Sequence, residues 1–429
     1  MNQRKLSLAI LSMAALAGSA QAQFFNDNFD DLGAPNRWTV MGQDLGAQDD
    51  FSANLAFNYG TLEIPAAPLS TSTTIGAFMT VNDASPNAAA AIAAYPTGQS
   101  FSGNYSFAFD LWMNVLPGGN STELLLAGIN CSDTQVNWAN NTGSQGFLFM
   151  VTGEGGSARD YRSLNGNAEF VWSVANPVGG YRAPFVTNGS ISPQEAFNPY
   201  YLNVFPGPTY PTPATPANQW ARVEITQNNG YIEWRLNGWP IVVRQDTTYV
   251  SGNVQMGYAD IFTSLSNASL AGIFDNASVA PIINVANYTV VQGEEFSGGT
   301  GVTDNLDDQY LSVFNDPTNL TAQVVLEGTS QTISPSFYQV MVEGLVARPG
   351  LSQTLEGFNF TTGTYQVLTG ETASAALKAT TVVRKVGASD FTNASGDVRS
   401  RITWMPINDE DPSQDGWLHN IDVFRWRLW

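Results

Sequence analysis

A single cysteine, Cys131, excludes any intrachain disulfide. Its setting, GINCSDT, suits a small buried side chain better than a nucleophile. A single histidine, His419, excludes His-rich zinc sites and leaves one candidate at most for a Ser-His-Asp triad. It stands among aromatics in GWLHNIDVFRW, where a structural role is expected. Charge is scarce, since Asp, Glu, Lys and Arg make up only 13% of the chain. Basic charge is scarcer still, 17 Lys and Arg against 37 Asp and Glu, for a net charge of −20. That balance argues against nucleic acid, whose phosphates demand basic patches. It suits solubility outside the cell and the binding of divalent cations. Helical periodicity is nearly absent. Beyond the first residues, no stretch approaches the ~18–20 apolar residues of a membrane span.

What is present begins with a leader. In MNQRKLSLAILSMAALAGSAQAQ, Arg4 and Lys5 precede an apolar run, and Ala20-Gln21-Ala22 fits a small-residue cleavage site. Residues 1–22 are therefore expected to be a signal peptide, and the mature chain to be secreted or held at the cell surface. No cysteine follows the leader and the chain ends in RWRLW, so neither a lipid nor a C-terminal anchor is expected.

The body reads as short runs of Val, Ile, Phe, Tyr, Trp and Thr separated by Gly, Asn, Asp and Pro, an all-β signature. In NYSFAFDLWMNV, Tyr105, Phe107, Phe109, Leu111 and Met113 share a core face. Asp110, Trp112 and Asn114 share the opposite one. In RVEITQNNGYIEWRLNG, Asn228-Asn229-Gly230 makes a hairpin turn. It places Ile232, Trp234 and Leu236 inward and Tyr231, Glu233 and Arg235 outward. FPGPTYPTPATPANQ is a Pro-rich loop draped over a sheet edge. SPNAAAAIAAYP is either a short helix or a loop with a small-residue strand. A new series of strands starts near 282, so two tandem β-sandwiches are expected, 23–281 and 282–429.

Four stretches carry a family resemblance: FFNDNFDDLGAPNRWTV, SFAFDLWMNV, WARVEITQNNGYIEWRLNGWPI and GYADIFTSLSNASLAGIFDNASV. Together they make residues 24–281 resemble the concanavalin A-like jelly rolls, which include laminin-G-like modules, legume-type lectins and some bacterial glucanases. The double-glycine stretch and the C-terminal half are similar to secreted proteins of environmental bacteria. The resemblance implies one structural Ca²⁺ between the first and last strands. Asp27, Asn28 and Asp275 match its ligand positions, unless they are exposed turn acids. The glucanases of this fold carry Glu-x-Asp-x-x-Glu on one strand, and Glu123, Glu154, Glu169, Glu224 and Glu233 all lack that spacing. The lyases of this fold need a histidine, and the first half has none.

The expectation is therefore a secreted, non-catalytic binding or adhesion protein whose partner is a glycan or a cell-surface or matrix component. The alternatives are a structural component of a surface layer, matrix or filament, and a polysaccharide-active enzyme. Carbohydrate sites stack a sugar on an exposed aromatic ringed by Asp, Asn and Arg. Trp112 with Asp110 and Asn114 fits, extended by Tyr231 and Arg235, unless a loop covers Trp112. EGGSARDYRSLNG reads as a connecting loop, in which Asp160 and Tyr161 either pin the turn or line the rim of the binding face.

Overall fold

The alternation seen in the sequence becomes strands throughout. The computed structural model describes residues 25–429 apart from 32, 47–48, 71, 84–87, 116–122, 154–160, 170–198, 263–269, 308, 348–349, 374–377 and 408–416. The expected signal peptide and Asp160 lie outside the described residues. The first half holds β1 (Phe25–Asp27), β2 (Trp38–Asp44), β3 (Phe51–Asn58), β4 (Ile75–Val81), β5 (Ala90–Pro96), β6 (Phe101–Ser102), β7 (Tyr105–Asn114), β8 (Glu123–Cys131), β9 (Phe147–Thr152), β10 (Tyr161–Asn165), β11 (Ala168–Glu169), β12 (Trp220–Asn228), β13 (Tyr231–Leu236), β14 (Trp239–Gln245), β15 (Ser251–Asp260) and β16 (Ala271–Asn284). The second half holds β17 (Asn287–Gln292), β18 (Glu294–Ser297), β19 (Leu311–Phe314), β20 (Ala322–Thr329), β21 (Tyr338–Val346), β22 (Leu351–Asn359), β23 (Thr364–Thr372), β24 (Lys378–Arg384), β25 (Asp397–Pro406) and β26 (Leu418–Leu428).

The first half is a jelly-roll sandwich of two antiparallel sheets. The front sheet runs β14-β13-β12-β7-β16-β4-β3 and the back sheet β11-β10-β9-β8-β15-β5-β2. Between them lie Phe107, Phe109, Leu111, Ile225, Trp234, Phe149 and Met256, all fully buried. Each such side chain contributes roughly 1.5–3 kcal/mol by leaving water. The hairpin expected at Asn229-Gly230 is present, with φ of 49° and 82°, the pair of positive values a type I′ turn requires. The Ala-rich run resolves as β5, whose small side chains let the back sheet pack closely on both faces.

The second half is a second sandwich. A junction sheet, β18-β19-β26-β21-β24, stacks on an outer sheet, β17-β20-β25-β22-β23. Val340, Phe424 and Trp426 of the one meet Val324, Leu355, Ile402 and Trp404 of the other. His419 is buried there, its ring stacked 4.7 Å from that of Trp404. Burial lowers its pKa to about 3, so it stays neutral, in keeping with the expected structural role.

The two sandwiches are joined through one strand. β16 completes the front sheet and then continues, so that Ile282, Ile283 and Asn284 pair with Arg427, Trp426 and Arg425 of β26. The division expected at 281/282 thus falls inside a strand. No helix among the described residues is long and apolar enough to cross a membrane.

Candidate functional site

The outward face of the front sheet is where the sequence placed its binding residues, and most of that face is covered. Over β13 it meets the outward face of the junction sheet. Arg235, expected on a sugar-binding surface, is fully buried and ion-paired to both Glu233 and Glu343. Arg425 Nη2 stands 2.5 Å from Glu233 Oε2, and Arg427 Nη1 stands 3.6 Å from Glu224 Oε2. Tyr231 packs with Val243, Leu306, Met341 and Val423. Both residues are corrected from ligand contacts to interface contacts. Alternation reports that a side chain leaves the core, and a second domain then covered it. Burial raises the pKa of Glu233, but Arg235 and Arg425 outweigh it and pull the carboxyl down to about 2. Glu224 is likewise held below the ordinary carboxylate range, its burial being outweighed by Arg427, Arg425 and Arg235. Glu343 goes the other way, raised by burial and by Glu233.

Over β7 and β16 the cover is local. Trp112 is 9% exposed, in a cluster with Tyr59, Ile64, Ala67, Trp220 and Ile273. The loop that covers it is the 59–70 segment, not the Pro-rich one. Trp220 sets its indole edge-on to both Tyr59 and Trp112 and donates its Nε1–H to Pro65 O at 2.8 Å. Trp112 Nε1 reaches Asn114 Oδ1 only at 3.5 Å. Trp112 is therefore packing and offers no open ring.

Beneath this cover lies a polar cluster. Asp110 and Asp275 are register partners on β7 and β16 and share the outward face. Asp110 Oδ1 stands 3.1 Å from Arg222 Nη1, and its Oδ2 accepts from Asn276 Nδ2 at 2.9 Å. Asp275 accepts from Tyr59 OH and Ser70 Oγ, both at 2.9 Å, and from Asn276 N at 2.7 Å. Burial raises its pKa to about 7 against these hydrogen bonds. A bulge after Asp275, with Asn276 at φ 51°, aims the Asn276 amide at both Asp110 and Ser70.

The structure does not bring the expected calcium ligands together. Asp27 lies opposite Ala277, whose side chain joins the core, so it faces the other side of the sheet from Asp275. Its carboxylate is already neutralised by Arg37 at 2.7 Å and accepts from Trp38 Nε1 at 2.8 Å. Asn28 is exposed and donates to Asp30 at 2.6 Å. Among the described residues no group of three or more His, Cys, Asp or Glu side chains could hold a metal ion. Tyr161 is also corrected. It begins β10 opposite Val151, stacks 4.1 Å from the Tyr201 ring and donates its hydroxyl to Ala214 O at 2.5 Å, all in the core.

Between the two covered regions the face opens into a cleft of about 510 Å³. Its floor is Asp110, Trp220, Arg222 and Glu224, with Asn237 at one end. One wall is Pro68 and Leu69 of the covering segment. The other is Gln339, Thr369, Glu371 and residues 379–383 of the second sandwich. Gln339 Nε2 donates to Glu224 Oε2 at 3.3 Å, and its Oε1 accepts from Arg427 at 3.1 Å. Of the described residues expected to bind, only Asp110 lines this cleft. Trp220, Arg222 and Glu224 had a visible signal, since WARVE alternates them onto the Asp110 face.

No family model matches the chain, and no curated protein matches it. Solved structures similar to it include a Bacillus subtilis protein of unknown function with a galectin-like fold (10% identity, 59% of this chain and 94% of that one, TM-score 0.34). A carbohydrate-binding module, CBM66, from Bacillus subtilis is similar at 10% identity over 54% of this chain and 95% of that one, with TM-score 0.27. The tandem CBM22-1 and CBM22-2 domains of Paenibacillus barcinonensis Xyn10C are similar at 9% identity over 95% of this chain and 98% of that one, with TM-score 0.23.

Proposed function

We propose that this is a secreted, non-catalytic glycan-binding protein whose ligand occupies the cleft between the two sandwiches. The observation that carries the reading is the cleft itself. Its 510 Å³ falls within the ~300–1,000 Å³ of small-ligand pockets. It combines a guanidinium, carboxylates, amides and threonine hydroxyls with the apolar surfaces of Trp220, Leu69 and Val382. Sugars need that mixture, with hydroxyls around the rim and C–H faces above and below. The leader sequence supports secretion. The absence of catalysis is supported by the seal on Asp275, whose pKa burial raises to about 7, since Tyr59 and Ser70 hold it away from the cleft.

The test is a panel of immobilised glycans probed with wild type and Thr381→Trp. Thr381 is exposed on β24 at the cleft wall, so an indole there fills the cleft without entering either core. Wild type is expected to bind at least one glycan, and the variant to lose at least ~90% of that signal with its melting temperature kept. Binding that the blocked cleft leaves intact would remove the site, and silence across the whole panel would remove the function.

A further inference from the structure

We propose that the second sandwich carries a head-to-tail contact for a second copy of this chain, in which the β17/β18 side of one molecule docks on the β23/β24 side of the next. The proposal stands apart from the glycan reading, because none of the contact residues it invokes lines the cleft.

Both sheets of that sandwich end in edge strands on each side. β17 and β18 form one side, separated by Gly293 alone and tied by Tyr288 OH, which donates to Glu295 Oε1 at 2.9 Å. β23 and β24 form the other, tied by Arg384 Nη2, which donates to Leu368 O at 2.8 Å and to Val367 O at 3.2 Å. Among the described residues each of these four strands has a ladder partner along one edge only. The three most exposed large apolar side chains of the described residues stand on these two sides. They are Val386, just beyond β24, at 92%, Phe296 of β18 at 63% and Val367 of β23 at 60%. Val291 of β17 adds a fourth at 51%. Single exposed apolar side chains need no explanation, but these gather on edge strands, which proteins ordinarily protect from other chains.

Charge then selects the occupant. The β17/β18 side exposes Glu294 and Glu295, and residues 287–297 contain no Lys or Arg. The β23/β24 side exposes Lys385 beside the half-buried Arg384. Two acidic sides repel each other, as do two basic ones, whereas the acidic side of one copy attracts the basic side of the next. The contact is therefore between unlike surfaces, and every docked copy still offers a free side, so growth does not stop at a dimer. In it Val291 and Phe296 leave water against Val367 and Val386, while Glu294 and Glu295 meet Arg384 and Lys385. Arg384 already holds the carbonyls of Val367 and Leu368, so side chains carry the contact and no strand is added. The net charge of −20 repels whole copies, but at physiological salt that repulsion is screened beyond on the order of 8 Å, and groups in contact are not. A row of copies repeats the cleft once per molecule, which would hold a surface bearing many ligands by avidity.

The test follows the mass of the purified protein against concentration at physiological salt, by sedimentation and light scattering, for wild type, Phe296→Asp and Val386→Asp. Each substitution spoils one side only, and both positions face water, so the melting temperature should not change. The mean mass of wild type is expected to rise with concentration past that of a dimer. Each variant alone should associate at least ~10-fold more weakly. An equimolar mixture of the two variants should form a one-to-one dimer and stop there, because the intact acidic side of Val386→Asp fits the intact basic side of Phe296→Asp. That dimer also shows that both variants are folded. Wild type that stays monomeric, or that levels off as a dimer, would overturn the proposal. So would variants that associate as wild type does, or a mixture that stays monomeric.

Discussion

Over β12 and β13 the outward face of the front sheet is covered by another domain, and the contact is ionic. Glu224, Glu233 and Glu343 oppose Arg235, Arg425 and Arg427, all buried. Over β7 and β16 the same face is covered by the chain's own 59–70 segment, and the contact is aromatic, with Tyr59, Trp112 and Trp220 edge to edge. The aromatic cover stabilises by removing apolar area from water. The ionic one gains little net energy, because desolvation cancels much of the attraction, but it tolerates only one register. The comparison teaches that one sheet face can be sealed for stability at one end and for alignment at the other. The cleft lies on the line between them.

The sharpest way to break this comparison is to remove one charge. Arg235→Ala takes the ion-pair partner from the buried Glu343 and leaves Glu233 to Arg425 alone, and is expected to cost about 3–5 kcal/mol in urea unfolding. A loss below about 1 kcal/mol would mean that water enters the junction freely. The aromatic side is probed through pH. The folded Asp275 carboxyl keeps its proton up to about pH 7, whereas unfolded it releases it near 3.8. The folded state therefore binds the extra proton in that window, and stability falls as pH rises from about 4 to about 7, by on the order of 4 kcal/mol. Asp275→Asn should flatten the slope, measured as unfolding free energy at pH 5 and pH 8. An unchanged slope would place the titrating group elsewhere. The smallest effect is expected where an ion pair faces water. Arg401 meets Glu356 at 2.5 Å on the outer sheet with its side chain 28% exposed, and Arg401→Ala should cost less than about 1 kcal/mol.

The inward faces were legible residue by residue. Phe107, Phe109, Ile232 and Trp234 were placed in the core by alternation alone, and the Asn229-Gly230 turn stands where the sequence put it. The outward faces were not, because period-2 patterning says which way a side chain leaves the strand and nothing about what meets it. Arg235 and Tyr231 were misread for that reason. Gln339 lies 115 positions from the Glu224 it aligns, a distance at which no local pattern operates. The 59–70 segment carries no strand or helix periodicity that would show it lying over Trp112. Tyr161 was assigned to a loop because the glycines before it signalled a turn, while the strand began one residue after Asp160.

The ionic junction also bears on how the chain acquires its shape. Arg427 donates to Ser106 O at 3.4 Å across 321 positions of sequence, so this contact comes late in any folding order that begins locally. Until it forms, a finished first sandwich must wait with its junction face bare. Had that face been apolar, the waiting species would invite association with other half-made copies. Lined with Glu224, Glu233 and Arg235, it is hydrated instead, and a slow assembly is spared the aggregation that slowness usually brings.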